Sequence, residues 1–387
     1  MGVTPQAKTA LVERLFLSPP HITQAEIDAT VAALHSGWVA PLGPEVDGFE
    51  QDMIDFTDVA YAVALSSGTA ALHLGLMALG VTAGDEVVVP TMTFGATAFA
   101  VTYTGAQPVF VDVDEATWNL DPCLLEESLR ARSKRGRLPA AIIPVDIFGR
   151  PCDYRRILPI AAEFGIPVLE DAAEALGSRT DGCSTGSFGR AGVFSFNGNK
   201  IMTTGGGGML VSADEDLVSK VRFWSTQSRE PHPWYEHAEI GFNYRMSNVL
   251  AAIGRAQLAR LPGMIDRRLE IRSRYADRLG KLPGVQIVLD PAGSRGNAWL
   301  TNIRFDSTVH PGAPERARLA LEMLNIESRP VWKPMHLQPV FASAPAIVNG
   351  TSERIFSDGL CLPSGSAMSD SQVDMVCEVV AEVLHCA

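Results

Sequence analysis

The chain lacks the paired cysteine and histidine spacings typical of metal sites. Its six cysteines, Cys123, Cys152, Cys183, Cys361, Cys377 and Cys386, form no Cys-x-x-Cys motif and no paired zinc-type spacing. Most are therefore expected to be reduced and inert. The eight histidines are scattered, and the nearest approach to a pair, His232 and His237, sits in a proline and aromatic loop without carboxylate or cysteine partners at ligand intervals. No metal is expected. Basic charge is also in short supply: 32 Lys and Arg against 44 Asp and Glu give a formal net charge of −12. That balance argues against nonspecific binding to nucleic acid or to an anionic membrane. Apolar runs fall far short of a membrane span, and the first twenty residues lack the basic-then-apolar order of a secretory signal. A cytoplasmic protein is expected, with no internal repeat and no low-complexity tract.

What is present suits a large folded core. A chain of 387 residues, 46% hydrophobic and 20% charged, has the composition of a globular protein long enough for two domains. From about residue 60 to 215, short apolar runs alternate with helical segments. This is the pattern of a mostly parallel α/β sheet covered by helices on both faces. The predicted strands are Tyr61 to Leu65, Glu86 to Val89, Pro108 to Val111, Ala140 to Val145, Val168 to Glu170, Val193 to Phe196 and Met209 to Val211. Residues Gln227 to Glu239 read as an exposed loop, and Val249 to Leu282 as one long helix. Beyond it, a strand over Trp299 to Phe305 and a helix over Pro314 to Leu324 suggest a small α+β unit. The expected division is a large domain of residues 1–255 and a smaller one of residues 256–387.

Candidate chemistry starts at Lys200, in Phe194-Ser195-Phe196-Asn197-Gly198-Asn199-Lys200, followed by a glycine run from Gly205 to Gly208. An amine presented between a short apolar strand and a glycine turn is suited to condense with an aldehyde cofactor, since crowding disfavours the charged form of an amine in general. The competing reading is a solvated loop lysine. A pyridine aldehyde carrying a phosphate makes three further demands. Asp171, at the end of Ile166 to Asp171, can face a ring nitrogen and keep it protonated, or it can merely cap a helix beginning at Ala172. Ser67, Gly68 and Thr69 precede an apolar stretch of good helix formers, so they read as an anion site at a helix start or as an ordinary N-cap. Phe94, after the strand Val87 to Val89, can lie against a ring or fill the core.

With these segments together, the chain resembles the pyridoxal-phosphate sugar aminotransferases of the DegT/DnrJ/EryC1/StrS family. Landmarks run in order from Gly37-Trp38 and Gly43-Pro44 through Asp112-Val113-Asp114, Phe148-Gly149-Arg150-Pro151 and Glu170-Asp171-Ala172-Ala173 to Gly241-Phe242-Asn243-Tyr244-Arg245 and Pro334-Met335-His336. The resemblance implies a fold-type I transferase with pyridoxal 5'-phosphate as cofactor, cycling through pyridoxamine 5'-phosphate. It implies Lys200 as the Schiff-base lysine and proton carrier, Asp171 facing the pyridine nitrogen, and Phe94 stacking on the ring. Ser67, Gly68, Thr69 and Ser195 would hold the phosphate. Asn243 would reach in from the second subunit of a homodimer with shared active sites. Arg245 is a candidate contact for the donor carboxylate or substrate phosphates, with a structural ion pair as the alternative. Lys333 and His336 are candidates for diphosphate or sugar hydroxyls.

Glu174 departs from the commonest family pattern, glutamine or histidine three residues after the ring aspartate. An acceptor-only carboxylate beside the cofactor's phenolic oxygen would repel its anion, which puts a direct hydrogen bond there in doubt. Glu174 and Gly206 are family hints toward amination at C4 of a nucleotide-linked 4-keto-6-deoxyhexose. The stretch from Ser328 to Pro339 resembles members acting on UDP-linked 2-acetamido-4-keto sugars. L-Glutamate is the expected amino donor. The alternatives are a C3 aminotransferase for a dTDP-linked 3-ketosugar, a dehydratase of the same fold, which has histidine where this chain has Lys200, and a catalytically inactive cofactor-binding regulator.

Overall fold

The computed structural model describes residues 11–385. Its centre is a twisted sheet in two ladders. One orders the strands Tyr61–Leu65, Gly208–Ser212, Ala191–Ser195 and Leu169–Asp171, and the other orders Ala346–Ile347, Gln107–Val111, Glu86–Pro90 and Ala141–Ile142. Parallel bridges Ile142 to Val168 and Val145 to Asp171 join the ladders into one sheet. Pairing is parallel except along Gly208–Ser212, which runs antiparallel to both neighbours.

Side-chain alternation explains why such short apolar runs suffice. Val87 and Val89 point into a core with the helices Gly68–Ala78, Gly95–Tyr103 and Glu215–Ser225, while Val88, between them, points into another with Pro122–Ser133 and Tyr154–Glu163. All three valines are fully buried, and each contributes roughly 1.5–3 kcal/mol by leaving water. The predicted strand Ala140 to Val145 is shorter than expected, covering only Ala141–Ile142. Pro144 has no N–H to give a ladder, although its carbonyl still accepts the Asp171 N–H at 2.9 Å. The other predicted strands of this region lie within about two residues of those observed.

The helix Asn248–Leu279 runs unbroken past residues 255 and 256, so the expected division falls inside it. Beyond it, Val285–Ile287, Thr301–Phe305, Gly359–Leu362 and Arg329–Pro330 form an antiparallel sheet. Helices Ala313–Met323 and Asp370–His385 pack on this sheet through Leu321, Val376 and Val380. The chain then crosses back: Ala346–Ile347 pairs in parallel with Phe110 and Val111 at the edge of the large sheet.

Successive residues of Leu169–Asp171 face opposite sides, and this places two carboxylates in different settings. Asp171 ends at the site described below. Glu170 is fully buried on the other side, where the N–H groups of Gly186 and Phe188 donate to its two oxygens at 2.5 and 2.9 Å. Asp146 lies beside it, also fully buried. Its Oδ1 accepts from the Cys152 N–H and the Tyr154 hydroxyl, both at 2.8 Å, and its Oδ2 has no partner among the described residues. Burial, and then the charge of Glu170, raises Asp146 well above the usual carboxylate range, and burial raises Glu170 to about 7. The pair therefore retains a proton where the unfolded chain has released it. Between the ordinary Glu value of 4.5 and about 7, the native state binds more protons than the unfolded one, so this pair's contribution to stability falls as pH rises. Urea unfolding of Glu170→Gln from pH 5 to 8 is expected to show a shallower loss with rising pH than the parent. An identical slope would contradict the retained proton.

Candidate active site

The parallel strands end together, and the segments that follow them enclose a cavity of about 270 Å³. Ser67, Gly68 and Thr69 line one part of it, Phe94 and Thr97 another, and Asp171, Glu174, Ser195 and Lys200 the rest. With Gly206, which also lines it, nine of the residues singled out in the sequence thus meet at the carboxyl ends of the strands, where open α/β sheets bind ligands.

The anion cradle is built by close backbone approach. Ser67 caps the helix Gly68–Ala78, its hydroxyl oxygen accepting the Ala70 N–H at 3.0 Å. The capping reading and the cavity-lining reading are therefore both true of this residue, and its hydroxyl proton stays free to donate. Helix geometry leaves the first-turn N–H groups of Gly68 and Thr69 without intrahelical partners. A Cβ at Gly68 would come within 2.9 Å of Ser195 Cβ, and one at Gly208 within 2.4 Å of the Gly68 nitrogen. Only glycine lets these three segments converge, and the space they leave suits a phosphate.

Asp171 lies deep in the site, 3% exposed. Its Oδ2 accepts from the Thr97 hydroxyl at 2.7 Å, and its Oδ1 from the Ala173 N–H at 3.2 Å. No helix begins at Ala172, because residues 172–178 are in turns and irregular backbone, so the helix-cap alternative does not hold. Burial raises its pKa, with the two hydrogen bonds acting against the shift. Among the described residues no cation pairs directly with it, and the cationic nitrogen of a protonated pyridine would offset the burial. Phe94 is 60% exposed, which removes the core reading and leaves a ring face at the cavity. The residues present therefore fit pyridoxal phosphate.

Lys200 Nζ sits 3.3 Å from Glu174 Oε1 and 4.2 Å from the Trp299 ring centroid. Glu174 Oε2 accepts the Phe148 N–H at 2.7 Å. Four candidates stand outside this cavity. Asn243 is exposed. Arg245 Nη1 donates to Glu50 Oε1 at 2.7 Å and to the Ala64 carbonyl at 2.9 Å, with its side chain 7% exposed. Lys333 is exposed, and His336 Nε2 lies 3.0 Å from Glu353. The Met335 N–H between them donates to the Thr91 carbonyl at 2.7 Å, which docks that stretch beside the strand Glu86–Pro90. Sequence reasoning missed Thr97 and Trp299. Thr97 could have been noticed, since Thr93 and Thr97 are one helical turn apart and their hydroxyls bond at 2.7 Å. Trp299 carried no local signal. Among the described residues no cluster of His, Cys, Asp and Glu is suited to hold a metal, and Cys386 lies outside them.

Chemistry of this kind belongs to pyridoxal-phosphate enzymes. Residues 20–381 match the model of the DegT/DnrJ/EryC1/StrS aminotransferase family, and the chain belongs to that family. It is similar to EpsN of Bacillus subtilis, 44% identical over 96% of each chain. It is also similar to GDP-perosamine synthase of Caulobacter vibrioides, 37% identical over 96% of this chain and 98% of that one. Among solved structures, Spr1654 of Streptococcus pneumoniae, known in both its PLP and PMP forms, superposes with a TM-score of 0.88 at 28% identity, covering 96% of this chain and 99% of that one. The fold is that of these aminotransferases, and the cofactor is pyridoxal phosphate.

Thr97 bonds to Asp171, so it would reach a cofactor in this cavity through that carboxylate. A hydrogen bond to a charged group is worth about 1.5–3 kcal/mol, so Thr97→Val should weaken cofactor binding by roughly 10-fold. Absorbance titration with pyridoxal phosphate checks this, and unchanged affinity would show that Thr97 does not support the aspartate.

Proposed function

We propose that the protein transfers an amino group from L-glutamate to the C4 ketone of a nucleotide-linked 4-keto-6-deoxyhexose. A UDP-linked 2-acetamido sugar is placed first among the acceptors. The observation that carries this reading is the single cavity holding Lys200, Asp171, Phe94 and the anion cradle together. When bound, pyridoxal phosphate supplies an electron-withdrawing ring that stabilises negative charge on the substrate carbon. The chain does the rest. Asp171, oriented by Thr97, holds a proton on the ring nitrogen. Gly68, Thr69 and Ser195 bind the phosphate, Phe94 covers one ring face, and Lys200 takes and returns the proton at the reacting carbon.

A nucleotide-linked acceptor is supported by the name of the relative GDP-perosamine synthase and by the family hints at Glu174, Gly206 and Ser328 to Pro339. The working unit we infer is a homodimer in the cytoplasm, with Asn243 of each subunit completing the other's site. Asn243 is exposed on its own subunit, and nearby Trp234, Tyr235 and Ile240 are 58%, 79% and 87% exposed, more apolar surface than a solvated loop requires. No helix among the described residues is long and apolar enough to cross a membrane. Arg245 is held by Glu50 in this subunit, so its reading as a substrate contact is the weaker of the two given above.

Two experiments test the proposal. With glutamate as donor, a panel of UDP-, GDP- and dTDP-linked 4-ketosugars should give one preferred acceptor, because a site built to bond particular groups can reject an analogue lacking them by about 10⁴-fold. NMR of the product should place the amine on C4. An amine on C3, or amination of simple keto acids alone, would overturn the assignment. In verified mixed dimers, Lys200→Ala paired with Asn243→Ala should recover part of the activity that each variant lacks alone. No recovery would contradict shared sites.

A further inference from the structure

The Lys200 amine is held from two sides by groups that are themselves fixed. On one side is the Glu174 carboxylate, 4% exposed, at 3.3 Å; on the other is the Trp299 ring, 1% exposed, at 4.2 Å. A carboxylate and an aromatic face both attract a cationic amine. Neither is free to move. Glu174 is anchored by the Phe148 N–H at 2.7 Å, and Phe148 adopts a left-handed backbone, φ 56°, to present it. The Trp299 indole N–H donates at 2.6 Å to the carbonyl of Asn199, the residue before Lys200.

One buried amide ties the two sides together. Asn297 Nδ2 donates to the Glu174 carbonyl at 2.9 Å, and Asn297 Oδ1 accepts the Trp299 N–H at 2.9 Å. Space for that amide is kept by Gly149, where a Cβ would come within 1.9 Å of Asn297 Oδ1 and where φ is +86°. The arrangement is thus built by residues from three parts of the chain, converging on one nitrogen atom.

We propose that Glu174 and Trp299 form a resting place for the Lys200 amine during the part of the cycle in which that amine is not joined to the cofactor. Trp299 is then a positioning residue, and Glu174 serves the lysine rather than the cofactor's phenolic oxygen. A four-carbon amine released from the cofactor has many rotamers. Held between the carboxylate and the ring, it stays beside the reacting carbon instead of sampling the cavity. The inference rests on Lys200 being the cofactor lysine and is independent of which sugar is the acceptor.

The test uses holoenzyme converted by glutamate to its pyridoxamine form, in which Lys200 is free. Trace labelling with acetic anhydride, followed by peptide mass spectrometry, gives the reactivity of Lys200 relative to exposed Lys333. In Trp299→Leu and Glu174→Gln the ratio should rise by about 5-fold, the change expected on releasing a cation from such a contact. Trp332→Leu should leave it unchanged, although Trp332 lies only 6.3 Å from Trp299, ring to ring. The rate constant of the glutamate half-reaction should fall about 10-fold in the first two variants with its half-saturation for glutamate unchanged. An unaltered labelling ratio in folded Trp299→Leu and Glu174→Gln would overturn the proposal. If Trp299→Leu does not fold, Glu174→Gln decides, and Trp299→Phe, which keeps a ring, should stay close to the parent. Failure of the sugar panel with altered labelling would count against the acceptor assignment alone.

Discussion

The site depends on the register of one short parallel ladder. Leu169, Glu170 and Asp171 lie opposite Ala191, Gly192 and Val193. This alignment turns Asp171 toward the cavity and Glu170 toward Asp146 on the far side. A slip of one residue would exchange them, placing Asp171 in the buried pair and Glu170 at the cofactor. The same ladder sets Ser195 at the end of its strand and delivers Lys200 five residues later. The N–H groups of Gly186 and Phe188 pin the register from the far side, because they have partners only when Glu170 faces them. Buried polar groups on the far side of the sheet thus fix groups that line the cavity.

The C-terminal part of the chain completes what the sheet begins. Just before the strand Thr301–Phe305, Trp299 lies against the Lys200 amine and Asn297 bonds to both Trp299 and Glu174, and Trp332 lies against Phe94 with ring centroids 6.3 Å apart. Arg268 of the long helix donates to the Trp299 carbonyl at 2.6 Å, joining that helix to the wall behind Lys200. Movement between the two sheets would therefore be felt at the Lys200 amine through hydrogen bonds as well as through packing.

Much of this was legible in the sequence, because it is local. The strand runs, the helix after Ser67 and the long helix near Val249 each depend on residues close together in the chain, whereas the grouping of Lys200, Asp171, Gly68 and Phe94, which are far apart in sequence, was legible through the demands of one cofactor and the ordered family landmarks. What could not be read is long-range. Trp299 lies 99 positions from Lys200, and nothing near either residue announces their contact. Arg245 looks available beside Asn243, yet its partner Glu50 lies on the helix Pro44–Thr57, far upstream. Glu174 was recognised as a departure from family habit, but its neighbour in space, Lys200, was not apparent from its neighbours in sequence. Pro144 was a local signal, and the overestimated strand Ala140 to Val145 follows from giving its apolar character more weight than its missing N–H.

The claim on which the rest stands is that Lys200 is the residue joined to pyridoxal phosphate in the resting enzyme. Borohydride reduction followed by proteolysis and peptide mapping measures this directly. The account predicts the reduced cofactor on the peptide containing Lys200, and none in Lys200→Ala; its recovery on any other lysine would contradict the site described above.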